Sequence, residues 1–221
     1  MRGFYQYIES TIGSKQLMGI TGLGLCGFLL VHMSGNLLLF VGPEAFNMYS
    51  HKLVSNPLIY VAEVGLVALF LVHVFKAVLV SWHNKQARPV DYIRHTNGDK
   101  HTTPVSRTLM AQGLIILVFV ILHLATFKYG PHYKITYNGE EVRDIYRLVI
   151  EVFHQPGYVV WYTIALLVLS LHLGHGFYSC FQTLGLNHPK YTPALKAIGL
   201  IYDVVVSAGF LVLPFYAYFR G

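Results

Sequence analysis

The chain has 221 residues, 54% of them apolar and 12% charged, with a net charge of +6. Soluble domains average about 25% charged residues, so this composition excludes a water-soluble fold, and a mean hydropathy of +0.50 points to the bilayer as solvent. The basic residues are scattered between apolar stretches, which excludes a nucleic-acid patch. Cys26 and Cys180, more than 150 positions apart, exclude a disulfide framework, a cysteine zinc site and an iron–sulfur cluster held by this chain alone, and the lack of C-x-x-C-H excludes covalent haem attachment.

Crossing the hydrocarbon core takes about 20 mostly apolar residues, and five stretches qualify: 14–41, 57–82, 105–127, 156–184 and 192–219. No cleaved signal peptide is expected, because the first span is too long and lacks an A-x-A site. That span carries Gly19, Gly22, Gly24, Gly27 and Gly35, small residues that let helices approach closely and also leave room for a flat cofactor. Pro57, Pro104 and Pro156 open or adjoin the next three spans, where a missing N–H costs nothing. Between spans three and four, Val142, Ile145, Tyr146, Val149, Val152 and Phe153 recur at helical spacing, so a short amphipathic helix on the outer surface is expected. The fold expected is all-α and integral to the membrane: one domain over 1–221, spans one to four forming a four-helix bundle and span five peripheral.

Lys and Arg set the orientation. With the N-terminus inside, the inner segments hold Arg2, Lys15, Lys85, Arg88, Arg94, Lys100, Arg107, Lys190 and Lys196. The outer ones hold Lys52, Lys128, Lys134, Arg143, Arg147 and Arg220. The N-terminus is therefore expected inside and the C-terminus outside.

Ionisable side chains inside a bilayer are costly and mark function. Five of the twelve histidines fall well within spans: His32, His73, His123, His172 and His175. His32 and His123 each lie 18 residues from the inner start of their span, about 27 Å along a helix. His73 and His172 each lie 16 residues from the outer start of theirs. A lone histidine in a span usually hydrogen-bonds a neighbouring helix. Four of them, at matched depths on helices that face each other across an up-down bundle, have the geometry of two bis-histidine b haems in two layers. A zinc site would want a third or fourth ligand at one level, which neither layer clearly offers. His175, three residues from His172 and on nearly the same face, is the alternative ligand.

The chain resembles the dihaem, five-helix cytochrome b subunit of succinate dehydrogenase/fumarate reductase nearly end to end. The resemblance rests on T-I-G-S-K-Q before the first span, V-H-M-S-G-N-L around His32, G-P-E-A-F-N-M-Y-S-H-K-L from Gly42, N-P-L-I-Y-V-A-E-V-G-L from Asn56, A-R-P-V-D-Y from Ala87 and L-H-L-A-T-F around His123. Its most specific run is S-L-H-L-G-H-G-F-Y-S-C-F-Q-T-L-G-L-N-H-P from Ser170, in which the family ligand is the first histidine, His172. The resemblance implies a membrane anchor in a bacterial cytoplasmic membrane, docking a flavoprotein subunit with FAD and an iron–sulfur subunit on its inner face. His73 and His172 would hold the proximal haem, His32 and His123 the distal one, and electrons would pass to or from menaquinone or menaquinol. With both axial positions filled, the haems are expected to relay electrons rather than bind oxygen.

Quinone chemistry also moves protons, and Glu63, about 9 Å into the second span, is the candidate for that exchange, with Asn36, His51 and His132 as further outer-side candidates. Lys76 can snorkel or pair with a haem propionate, as can Lys15, Gln16, Arg88, Arg107 and Gln182. Asp203 is expected to pair with a neighbouring hydroxyl. Two alternatives stand beside this reading. One is the dihaem cytochrome b of another respiratory complex, of the nitrate reductase, formate dehydrogenase or hydrogenase type. The other is a haem transporter with histidines as transient ligands.

Overall fold

A computed structural model describes residues 2–87 and 104–220. Within them the chain is an all-α protein with five helices long and apolar enough to cross a membrane. The elements are α1 (Arg2–Glu9), α2 (Thr11–Asn36, tightening into a 3-10 turn over Leu37–Phe40), α3 (Pro43–Ser55), α4 (Leu58–Gln86) and α5 (Pro104–Arg107). There follow α6 (Leu109–His123, widening into a π turn over Leu124–Lys128), strands β1 (Lys134–Tyr137) and β2 (Glu140–Arg143), α7 (Ile145–Phe153), α8 (Pro156–Thr183) and α9 (Thr192–Arg220). Arg88, Arg94, Lys100, His95, His101 and most of the A-R-P-V-D-Y run lie outside the described residues.

Local chemistry fixes the ends. Ser10 caps α2, its Oγ accepting from the Gly13 N–H at 3.1 Å. Gly185 takes a φ of +82° after α8, and the Leu186 and Gly185 N–H groups return to the Phe181 and Gln182 carbonyls at 2.9 and 3.1 Å, a Schellman ending that needs glycine at that place.

Helix α2 packs along α4 and α8; α6 packs against α8 and, over a shorter stretch, α4; α9 runs along α8 and also touches α2. Helix α2 meets α8 at Gly19, where an added Cβ would sit 3.7 Å from the Cys180 backbone, in ordinary van der Waals contact. The faces turned away from these contacts are apolar: Val64, Leu71 and Phe75 on α4 are each at least 60% exposed. A water-soluble monomer does not expose apolar surface on that scale. Met33, Leu39, Tyr162, Leu166, Val206 and Phe210 belong to the buried core.

Beyond the ends of the long helices, three elements build a cap that differs from the single surface helix expected. Residues Pro43–Ser55, between the first two spans, are helical. Val142 belongs to an antiparallel hairpin, not to the helix, with Ile135 as its partner. The hairpin turns on Asn138 and Gly139, both at positive φ (52° and 85°), the pairing that a two-residue turn of this twist favours. The amphipathic helix is Ile145–Phe153, and its Leu148, Val149, Val152 and Phe153 are buried against protein, so its apolar stripe faces α3, α8 and α9. The amide of Asn47, fully buried, ties the cap together. It donates to Asp144 Oδ1 at 2.8 Å and the Tyr137 hydroxyl at 3.2 Å, and accepts from the Tyr146 N–H at 2.9 Å.

Candidate functional site

The four histidines meet in two pairs. His32 of α2 faces His123, the last residue of α6 before its π turn, with ring centroids 5.8 Å apart and planes at 87°. His73 of α4 faces His172 of α8 at 6.4 Å and 74°. It is His172, not His175, whose ring meets His73 in this pair.

The long helices give the spacing between the pairs. On α2, Thr21 lies 3.4 Å from His73 Nδ1, and His32 stands eleven residues further along, about 16 Å of rise. On α8, the Tyr162 hydroxyl lies 3.1 Å from His123 Nδ1, and His172 stands ten residues further along, about 15 Å. Two separate helices thus give one answer.

The pairs have different surroundings. His32 is stacked on Phe28 (centroids 5.2 Å, 12°) and touched by Phe210 of α9 at 5.8 Å. Phe119 and Phe127 flank His123 at 5.7 and 5.3 Å. Asn36 Nδ2 donates to the His32 carbonyl at 2.8 Å and lies 3.4 Å from its Nδ1. In the other pair, His73 Nδ1–H donates to the Met18 carbonyl at 3.1 Å. Since a carbonyl only accepts, the proton of neutral His73 sits on Nδ1 and Nε2 keeps its lone pair. An added Cβ on Gly22 would come within 3.2 Å of His73 Cε1 and 3.4 Å of Cys180 Sγ. His172 Nδ1 is buried and has no hydrogen-bond partner among the described residues.

The remaining candidates are spread out. The Glu63 carboxylate is engaged by the Lys128 ammonium, at the end of the π turn. His51 lies in α3, with Nε2 at 2.9 Å from Glu140, and His132 is exposed. Lys76 is buried, and its ammonium donates to the Ile8 carbonyl at 3.1 Å and Ser14 Oγ at 3.4 Å. Gln16 accepts from Tyr7, Lys15 and Gln182 are exposed, and Arg88 lies outside the described residues. Asp203 Oδ1 accepts from Ser170 and Ser207 at 3.0 and 2.9 Å.

Sequence reasoning missed Lys128, Tyr162 and Phe210. Tyr162 was within reach of the same depth count, since it stands six residues into α8 from Pro156, near the level of His123. A cavity of about 520 Å³ lies beside that end of the molecule, walled by Leu122, Ala125 and Thr126 of α6 and its π turn, Glu151 of α7, and Gln155 and Tyr158 at the start of α8. No family model, curated protein or solved structure matches the chain.

Proposed function

We propose that this chain is the dihaem cytochrome b anchor of a succinate:quinone oxidoreductase, with α2, α4, α6 and α8 as its haem-binding bundle. The observation that carries the reading is the pair of histidine pairs, at 5.8 and 6.4 Å between ring centroids. Two imidazoles that share one metal over bonds of about 2 Å hold their centroids about 6 Å apart. The donor chemistry fits as well: His73 keeps Nε2 free for a metal, and the carbonyl behind it is the outer partner that orients a ligating histidine. His172 offers a buried nitrogen with no hydrogen-bond partner among the described residues.

Bound at these pairs, two b haems would supply reversible one-electron chemistry at two depths of the membrane. His32 and His123 would hold one, His73 and His172 the other. Around the first pair, Phe28, Phe119, Phe127 and Phe210 keep water from the imidazoles. Around the second, the backbone of α2 fixes the tautomer of His73. The flavoprotein and iron–sulfur subunits dock at the cytoplasmic end, beside His73 and His172, and menaquinone or menaquinol exchanges at the outer end. Oxidation of each quinol releases two electrons and two protons. Glu63 takes up or delivers protons there, and Lys128 holds its carboxylate in place between transfers.

Haem stoichiometry tests the reading directly. A pyridine haemochrome assay on the purified chain is expected to give two b haems, and His32→Ala and His73→Ala are expected each to lose a different one. One haem or none, with both variants indistinguishable from wild type, removes the relay and leaves the histidines as packing residues.

A further inference from the structure

An amide buried inside an apolar span has to be explained by what it bonds. Gln112 is the buried residue of α6, only 5% exposed, on a helix whose other residues are mostly apolar. Its nitrogen is committed: Nε2 donates to Thr108 Oγ1 at 2.8 Å and to the Val105 carbonyl at 3.3 Å. Its Oε1 is buried without a hydrogen-bond partner among the described residues, and so is His172 Nδ1.

Depth brings these two atoms to one layer. Eleven residues, about three helical turns, separate Gln112 from His123, so the two share a face of α6 and stand about 16 Å apart along it. On α2, which meets α6 at the His32–His123 pair, the same eleven residues separate His32 from Thr21, and Thr21 lies 3.4 Å from His73 Nδ1. Gln112 is thus level with His73 and His172, on a helix packed against both α8 and α4. We propose that Gln112 is a positioning residue for His172: with a haem at this pair, its carbonyl oxygen accepts the His172 Nδ1–H, as the Met18 carbonyl accepts that of His73.

The inference rests on the haem-anchor reading above and supplies the outer partner missing on one side of one haem. An imidazole that gives Nε2 to a metal carries its proton on Nδ1. An amide oxygen only accepts, and with its nitrogen pinned by Thr108 and Val105 the Gln112 side chain has that oxygen alone to offer. An acceptor behind a ligating histidine makes the imidazole more basic, which favours ferric iron and lowers the potential.

Potentiometric titration of the purified chain with both haems bound tests this, each haem being identified by its loss in His32→Ala or His73→Ala. Gln112→Met keeps the bulk and removes the acceptor. It is expected to raise the potential of the haem at His73 and His172 by a tenfold change in its reduction equilibrium, about 59 mV for one electron, with the other haem unmoved. Gln112→Glu restores an acceptor oxygen and is expected to return the potential to the wild-type value or below it. Loss of that haem in Gln112→Met but not in Gln112→Glu supports the same contact. No shift in Gln112→Met, equal shifts at both haems, or the same rise or haem loss in both variants makes the amide a packing residue and overturns the inference. A shift in His175→Ala to which Gln112→Met adds nothing seats the amide on His175 and overturns it too. A wild-type chain without haem at His73 and His172 removes the anchor reading itself, and this inference with it.

Discussion

The two histidine pairs solve one problem by different means. At His32 and His123 the rings are held by other rings, Phe28, Phe119, Phe127 and Phe210, and one of those comes from α9. In the other pair His73 is held by the backbone of α2 and by the missing side chain of Gly22. The aromatic contacts are spread over four rings, each ring pair worth about 0.5–1.5 kcal/mol, whereas a single carbonyl and a single glycine fix one tautomer and one distance. The first pair should therefore absorb change around it, and the second should fail abruptly.

The largest expected effect separates the pairs outright. His172→Ala should remove one b haem and leave the other, while His175→Ala should leave both, read by haemochrome content and by low-temperature absorption. Gly22→Leu should come next. Its added carbons meet His73 Cε1 and Cys180 Sγ, so most of the haem at His73 should be lost with that at His32 retained, whereas Phe210→Leu should lose little of either. A subtler effect is expected of Tyr162→Phe, which leaves stoichiometry intact but removes the hydroxyl from His123 Nδ1. The midpoint potential of that haem alone should move on the order of 30 mV.

Two smaller effects fall on the cap. Asn47→Ala leaves buried partners unsatisfied at a cost of about 1–3 kcal/mol, and limited proteolysis should then cut near the Asn138–Gly139 turn with both haems in place. Weakest of all is a pH effect at Glu151. Arg147 and then Tyr133 hold its carboxyl below the usual carboxylate range, and the same bond holds the Tyr133 phenol above its own. A depressed carboxyl stabilises α7 above the unfolded-state pKa, and the contribution disappears as pH falls through the lower folded value. Protease sensitivity of α7 should rise slightly in acid, and Glu151→Gln should abolish that slope.

Sequence periodicity and depth made the five long helices legible, because a bilayer imposes one length on each. The same count put His32 level with His123 and His73 level with His172. The cap was harder to read. Residues 43–55 mix apolar and polar groups over a short stretch whose helix is completed by packing on α7 and β2, and Val142 fits a helical stripe as well as a strand. The Asn-Gly signal for the hairpin was present in Tyr137–Glu140. Lys128 could not be read at all: it meets Glu63 because a π turn carries it round the end of α6, and nothing in the local residue pattern marks that turn.

Asn47 also sets an order of events during synthesis. Its amide is satisfied by Tyr137, Asp144 and Tyr146, between 90 and 99 positions downstream, so α3 waits with a polar group unmatched until the third long helix and the hairpin have emerged. By then α2, α4 and α6 exist, but α8, which brings His172, does not. The amide thus couples α3 to segments made long after it: the cap is complete only when β2 and α7 have joined it, and α7 in turn buries its apolar stripe only once α8 and α9 are in place.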